Sequence, residues 1–290
     1  MGRILKFTIS SFVFLGDAIL MLLTRMAGQT PAGKCVIVYY HSVPPGQRQR
    51  FARQLDSIRR RATVVSLGQA FDLNQGTMSL AITFDDAFEN FVTCALPELE
   101  KRGMPATMFV ITDALNKAFG PPNTSEKVMS TEQLKALPTS LVTIGSHTLT
   151  HPMLPELPLE NARRQIAESK KVLELMLGRG VELFSFPFGG FTAELVECCR
   201  EAGYQRAFST LPFFAFEKRD EFFVGRVRVD PTDWPLEFNL KIAGAYRWLP
   251  LAIRIKRAIL EKLAGSKNGG AEVARHTEDS RSAIRELGAH

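Results

Sequence analysis

The sequence predicts a distorted (β/α) barrel, and three observations point to it. Short apolar runs alternate with amphipathic stretches, the pattern of a parallel sheet whose crossovers are helices. The polar residues that stand out follow those apolar runs, at the strand C-terminal ends where a barrel gathers its site. The chain has 290 residues, 45% hydrophobic and 23% charged, enough to bury the core of one large α/β domain.

Residues 4–26 are mostly apolar but carry Lys6 and Asp17. A spanning helix needs about 20 mostly apolar residues, and a central Asp costs roughly 2.5–3.5 kcal/mol on insertion scales. A membrane-surface or domain-packed helix is therefore expected rather than a span. Cys35–His41 reads as a buried strand bounded by Gly33 and Pro44-Pro45. Phe51–Arg60 reads as an amphipathic helix with Phe51, Leu55 and Ile58 on one face. Thr63–Leu67 and Leu80–Phe84 are expected strands, followed by a helix from Ala87 to Arg102 that Gly103 and Pro105 close. Strands at 106–112, 141–145, 183–186 and 205–209 are expected to alternate with helices at 131–137, 159–177 and 191–202. Residues 116–130, rich in Pro, Asn and Ser, read as a loop. Residues 237–263 read as one long basic, apolar helical region. The organisation expected is an N-terminal helix over 1–30, a barrel domain over 31–263 and a disordered tail over 264–290.

Two constellations carry chemistry. Asp85 and Asp86 end the strand Ser79–Phe84, where one carboxylate can bind a metal while its neighbour acts as base; capping of the next helix is the blander reading. His147 and His151 lie four residues apart, so their imidazoles can meet on one helical face or across a tight turn as neutral nitrogen ligands.

Thr83-Phe-Asp-Asp86, His147-Thr-Leu-Thr-His151 and, more loosely, Phe184-Ser-Phe-Pro-Phe-Gly189 resemble the motifs of the polysaccharide deacetylases with the NodB homology domain, carbohydrate esterase family 4. The resemblance runs from about Cys35 to Trp234. It implies a metal triad of Asp86, His147 and His151, with Asp85 as general base. It also implies a divalent metal, with zinc the default and Fe, Co or Ni suited to the same donors. The substrate implied is an N-acetylated glycan or glycan-lipid, with Pro187, Phe188, Gly189 and Arg226 among the substrate-binding residues and the backbone near Pro187–Gly189 helping to hold the oxyanion. Two departures stand out. Ser185 occupies the place of an arginine that pairs with the catalytic Asp in the family, leaving Arg226 or Arg228 to orient Asp85. No late Leu-x-His follows, so His41, which resembles the early Tyr-His of rearranged members, is the expected general acid. Asp230-Pro-Thr-Asp233-Trp234 resembles a further family motif but equally reads as a helix-capping loop. A deformylase or other amide hydrolase on the same scaffold, or a non-catalytic glycan-assembly protein, are the rival readings.

The net charge is +6. Basic residues in Arg48–Arg61 and Arg247–Lys262 are compatible with solvated helix faces or with anionic lipid, and no nucleic-acid role is expected. Cys35, Cys94, Cys198 and Cys199 show no disulfide or zinc-ligand spacing, which favours a reducing compartment. A membrane surface contacted through residues 1–26 and 237–263, on the cytoplasmic side, is the expected location, with the periplasmic or extracellular side as the alternative.

Overall fold

A parallel sheet organises the molecule. The computed structural model describes residues 2–68, 73, 76–217, 221–255 and 258; the tail expected over 264–290 lies outside them, as does most of 256–263. The chain opens with helix α1 (Arg3–Met26) and then enters strand β1 (Lys34–Tyr40). Helix α2 (Arg48–Arg61) leads to β2 (Thr63–Val64) and β3 (Met78–Phe84). Helix α3 (Leu96–Glu100) precedes β4 (Ala106–Val110), a small hairpin of β5 (Ala118–Phe119) and β6 (Glu126–Lys127), and α4 (Thr131–Lys135). Then come β7 (Val142–Ser146), α5 (Leu159–Leu177), β8 (Leu183–Ser185), α6 (Ala193–Glu201) and β9 (Arg206–Phe208). Two-residue strands β10 (Phe223–Val224) and β11 (Val227–Arg228) precede α7 (Pro235–Ile242).

The strand order is β10-β9-β8-β7-β4-β3-β1-β11, with β2 joining β3 off this path. The two edges, β10 and β11, are joined by only Gly225 and Arg226. A sheet whose edges are two residues apart in the chain must curl back on itself, so those residues form the seam of a distorted barrel. The seam is tight: a Cβ on Gly225 would collide with the backbone of Leu211 and Phe213.

Strand residues alternate between two cores. Val36, Val38, Tyr40, Leu80, Ile82 and Phe84 pack outward against the helices. Cys35, Ile37, Ala81, Phe109, Leu183 and Phe208 fill the barrel interior. In the outer layer Phe84 packs on Tyr40, Phe51 and Phe91 with centroids 4.8–6.0 Å apart, each pair worth about 0.5–1.5 kcal/mol beyond the area it buries. Gly145 on β7 makes room for the inner Phe109, whose ring a Cβ would meet at 2.5 Å.

Several boundaries differ from expectation for identifiable reasons. The helix expected from Ala87 is delayed because Asp86 and Ala87 take left-handed φ values of 70° and 55°. It begins instead with a π-type turn over Phe91–Ala95. The strand expected over 63–67 keeps only Thr63 and Val64. The loop 116–130 contains the β5–β6 hairpin, too short to leave a periodic signal. The long helix expected over 237–263 stops at Ile242; Gly244, at φ 75°, breaks it before helical structure resumes at 249. Helix α4 starts where expected, with Ser130 and Gln133 forming a reciprocal cap.

Helix α1 packs along α7. Arg3 pairs with Glu237 at 2.6 Å, Asp17 accepts two bonds from Arg247 at 2.6 and 2.7 Å, and Trp248 donates to the buried Ser10 at 2.9 Å. Asp17, awkward for a span, is thus a docking residue.

Candidate metal centre and active site

The site lies at the C-terminal ends of β1, β3, β7 and β8. Asp85 leaves β3 with its N–H donating to the Tyr40 carbonyl at 2.9 Å. Asp86, Thr148, His151 and Phe188 are non-glycine residues with φ of 70°, 69°, 61° and 56°. Left-handed backbone of this kind costs of order 1–3 kcal/mol per residue and gathers at functional sites. The histidines meet across a tight turn rather than on a helix. Gln165 of α5 clamps that turn, accepting from the N–H groups of Leu149 and Thr150 at 3.1 Å each and donating to Thr150 Oγ1 at 3.0 Å.

His147 Nδ1 lies 2.7 Å from the Ser185 carbonyl oxygen. A carbonyl only accepts, so Nδ1 carries the proton and Nε2 presents a lone pair. That Nε2 lies 3.7 Å from Asp86 Oδ1, and His151 Nε2 lies 3.6 Å from the same oxygen. Asp86 Oδ1 is buried without a hydrogen-bond partner. The three ligand atoms lie within 4.8 Å of one another.

Burial pushes His147 down to about 3 and His151 to about 4, so both are neutral at pH 7. Burial, and then the charge of Asp85, push Asp86 up to about 8. An orphaned carboxylate oxygen facing two imidazole lone pairs has a deficit of positive charge at its centre. A divalent cation fits that deficit, and two nitrogens with one oxygen form a donor set suited to it.

Asp85 sits in a different environment. Arg226, 0% exposed, grips it with two bonds, Nη1 to Oδ1 at 2.7 Å and Nη2 to Oδ2 at 2.9 Å. The same guanidinium donates to Thr83 Oγ1 at 3.0 Å, to Ser185 Oγ at 2.6 Å and to the Ser209 carbonyl at 3.3 Å. It lies 4.7 Å from the Tyr39 ring centre and 5.0 Å from that of Phe109, a cation–π setting. Burial alone would raise Asp85; the attraction of Arg226, helped by His147, outweighs it and holds the carboxyl at about 2. Adjacent carboxyls are thus driven apart, one to about 8 and one to about 2.

A model of the polysaccharide deacetylase family matches residues 72–207. That stretch, just under half of the chain, is similar to the polysaccharide deacetylases. YxkH of Bacillus subtilis, described as a polysaccharide deacetylase, is 31% identical over 150 residues, 52% of this chain and 51% of that protein. The chitooligosaccharide deacetylase of Azorhizobium caulinodans is 29% identical over 138 residues, 47% of this chain and 60% of the relative. The chain thus spans only about half to three-fifths of the curated relatives it matches. Among solved structures, IcaB from Ammonifex degensii superposes with a TM-score of 0.63 at 25% identity, over 74% of this chain and 98% of that one. A polysaccharide deacetylase from Bacillus cereus gives 0.61 at 25% identity, over 73% and 69%. The curled parallel sheet is the fold of these deacetylases.

Within the curled sheet the structure brings Asp85, Asp86, His147 and His151 together. His41, half-buried at the end of β1, has its ring 5.6 Å from Tyr39 and lies near enough to feel the charge of Asp85; burial lowers its pKa. Of the two roles expected of Arg226, the geometry agrees with orienting Asp85 and not with substrate binding. As a substrate-binding residue it would need to reach the mouth; fully enclosed, it positions Asp85 instead. Arg228, the other orienting candidate, is exposed. Ser185 stands where an arginine was expected and accepts Arg226 from across the barrel.

In the third motif, Phe188 is 63% exposed with its ring 4.5 Å from that of His151, placing it at the mouth. Pro187 is buried and offers no N–H, and the Gly189 N–H donates to the Phe186 carbonyl. Those two positions therefore shape the turn rather than supply oxyanion donors. Tyr39, Tyr40, Phe84 and Phe186 are buried and form no floor at the mouth. Asp233 accepts from the Asp230 N–H and from Lys241, so the Asp230–Trp234 stretch is a turn tied to α7 by an ion pair, without a side-chain cap on that helix. Sequence reasoning missed Phe119 of the hairpin, 5.3 Å from His151, and a network in which Ser42 and Asn90 both donate to Glu126 at 2.6 Å.

Proposed function

We propose that this chain hydrolyses the N-acetyl group of an amino sugar in a glycan or glycan-lipid, using a divalent metal held by Asp86, His147 and His151. The observation that carries the reading is the split between adjacent carboxyls, one orphaned against two neutral imidazoles and one gripped by a buried arginine. Zinc is the favoured ion, since two imidazoles and a carboxylate with open positions suit it. When bound, the ion supplies Lewis-acid polarisation of the acetyl carbonyl and of a water molecule.

The chain's own residues then have distinct tasks. Asp85 is ionised at neutral pH and takes the proton of the attacking water. Arg226 fixes the orientation of its carboxylate and keeps it charged. His41, kept mostly neutral at pH 7 by burial, relays to the departing amine the proton that Asp85 took from water, so that amide and water become amine and acetate. Phe188 and Phe119 flank the mouth as apolar walls for a sugar ring. The outward apolar surface of α1 supports work at a membrane surface, and four free, buried cysteines are compatible with the cytoplasmic side. A reporter fusion to residues 1–34 reads the side directly.

The test is acetate release from N-acetylated oligosaccharides, with metal content measured on the same preparations. Asp85→Asn is expected to abolish release while keeping metal, and His147→Ala to lose both. A metal-free His147→Ala protein that remains active would sink the mechanism. Formate release in place of acetate would favour a deformylase.

A further inference from the structure

Helix α1 presents its surface the reverse way from a helix in water. Ile4, Phe12, Leu15, Ile19, Leu22 and Met26 are exposed, and from Phe12 onward their spacing of three and four residues makes one outward stripe. Its docking contacts face the other way: Arg3 to Glu237, Ser10 to Trp248, Asp17 to Arg247. Water does not favour an outward stripe of this length, and a low-dielectric partner does.

Three observations decide the partner. By length and composition α1 qualifies to cross a membrane, but in this pose it cannot. Its contacts run from Arg3 to Asp17, leaving only residues 18–26 free, about 13 Å of helix against a hydrocarbon core about 30 Å thick. A crevice of about 540 Å³ opens between α1 and α7, lined by Phe7, Phe14, Met78, Leu236, Leu240 and Ile242, with Arg61 among its polar residues. Phe14 and Leu236 are exposed at its mouth. Finally, Arg61 stands with Arg59 and Arg60 in the last turn of α2, all three exposed. In a chain of net charge +6 such a rim repels a second copy of itself and attracts anionic headgroups.

We propose that α1 lies in the plane of an anionic bilayer, held to the domain by its Asp17 and Arg3 pairs, and that one acyl chain of an anionic phospholipid enters the crevice between α1 and α7 with its phosphate at Arg61. This extends the membrane-surface reading above and is independent of the deacetylation chemistry. An apolar stripe beside a basic rim provides the two signals that stable surface attachment needs.

The test uses the full chain with vesicles of phosphatidylcholine, with and without phosphatidylglycerol. Nitroxide labels placed singly at Ile4, Phe12, Leu15, Ile19 and Leu22 report immersion depth. The expected result is flotation with phosphatidylglycerol vesicles and similar depth at all five positions. Leu15→Glu with Ile19→Glu should weaken flotation by about tenfold or more. Native mass spectrometry should find one phosphatidylglycerol retained, and Phe14→Glu with Arg61→Glu should lose it. A depth profile that peaks at mid-helix overturns the in-plane pose, and retention of lipid by the Phe14/Arg61 variant overturns the crevice. Absence of flotation, or a dimer without vesicle affinity, overturns the membrane reading as well. Acetate release from a soluble oligosaccharide, measured in parallel, keeps each of these failures separate from failure of the deacetylase reading.

Discussion

Replacing Arg226 by Met removes the charge that holds Asp85 while keeping similar bulk. In the native protein Asp85 falls from 3.8 to about 2, a difference worth about 2–3 kcal/mol. The sign follows from the depressed value. The contribution is fully present above the unfolded pKa near 3.8 and is lost as pH falls toward about 2. Without Arg226 the remaining environment of Asp85 is burial, which pushes the carboxyl up. Stranding one partner of a buried pair costs about 3–5 kcal/mol, so Arg226→Met should lose that much in urea unfolding at pH 7. Protonation of Asp85 should then shift the acid limb of acetate release upward into the ordinary working range, so that activity lost at pH 7 partly returns at higher pH. Arg226→Lys restores charge but not the two-pronged grip, and should recover stability better than rate. A purely structural role would lower stability without moving the pH profile. An Arg226→Met protein whose profile overlays that of the parent would refute the positioning role.

Four further outcomes follow from the same geometry. Ser185→Ala removes the acceptor 2.6 Å from Arg226 Nη2 and should cost about 1–3 kcal/mol in denaturant unfolding, with metal content unchanged. Gly145→Ala drives a methyl into the Phe109 ring and should lower stability by about 1–3 kcal/mol, read as a fall in melting temperature. Zinc at about 100 times its dissociation constant should raise stability by about 2.7 kcal/mol; Asp86→Ala should abolish that shift, and a shift that survives would remove Asp86 from the ligand set. His41→Ala should lower kcat by roughly 100-fold or more at unchanged metal content; a smaller loss would remove His41 from the proton path.

The clustering of the two acids with the two histidines was legible because each pair comes from a short local segment. Two acids end an apolar run, two histidines sit four residues apart, and both lie within the stretch 72–207 that matches the deacetylase family. Their support was not legible in the same way. Arg226 was one of two arginines that the family resemblance left to orient Asp85, and only the folded sheet selects it, since it lies 141 residues away. Gln165, which holds the histidine turn from a separate helix, gave no signal, because no spacing rule links residues that meet only after the sheet has curled. Strands β10 and β11, two residues each, are below the length at which alternation can be counted. Long periodic elements such as α5 were read to the residue. The helix after Asp86 starts later than expected because Asp86 and Ala87 take left-handed backbone that no helix-start signal marks.

The seam also sets the order in which capability arises as the chain folds. The proposed ligands Asp86, His147 and His151 follow β3 and β7, strands in the continuous middle of the sheet, whereas Arg226 belongs to the last link that brings one edge round to the other. A chain ending after β9 would contain every metal ligand and no clamp for its base. Such a fragment is expected to capture zinc without cutting amides, because its Asp85 would be free to swing or to take up a proton. On the proposed function, the last link of the barrel would be a checkpoint that withholds activity until the sheet has closed.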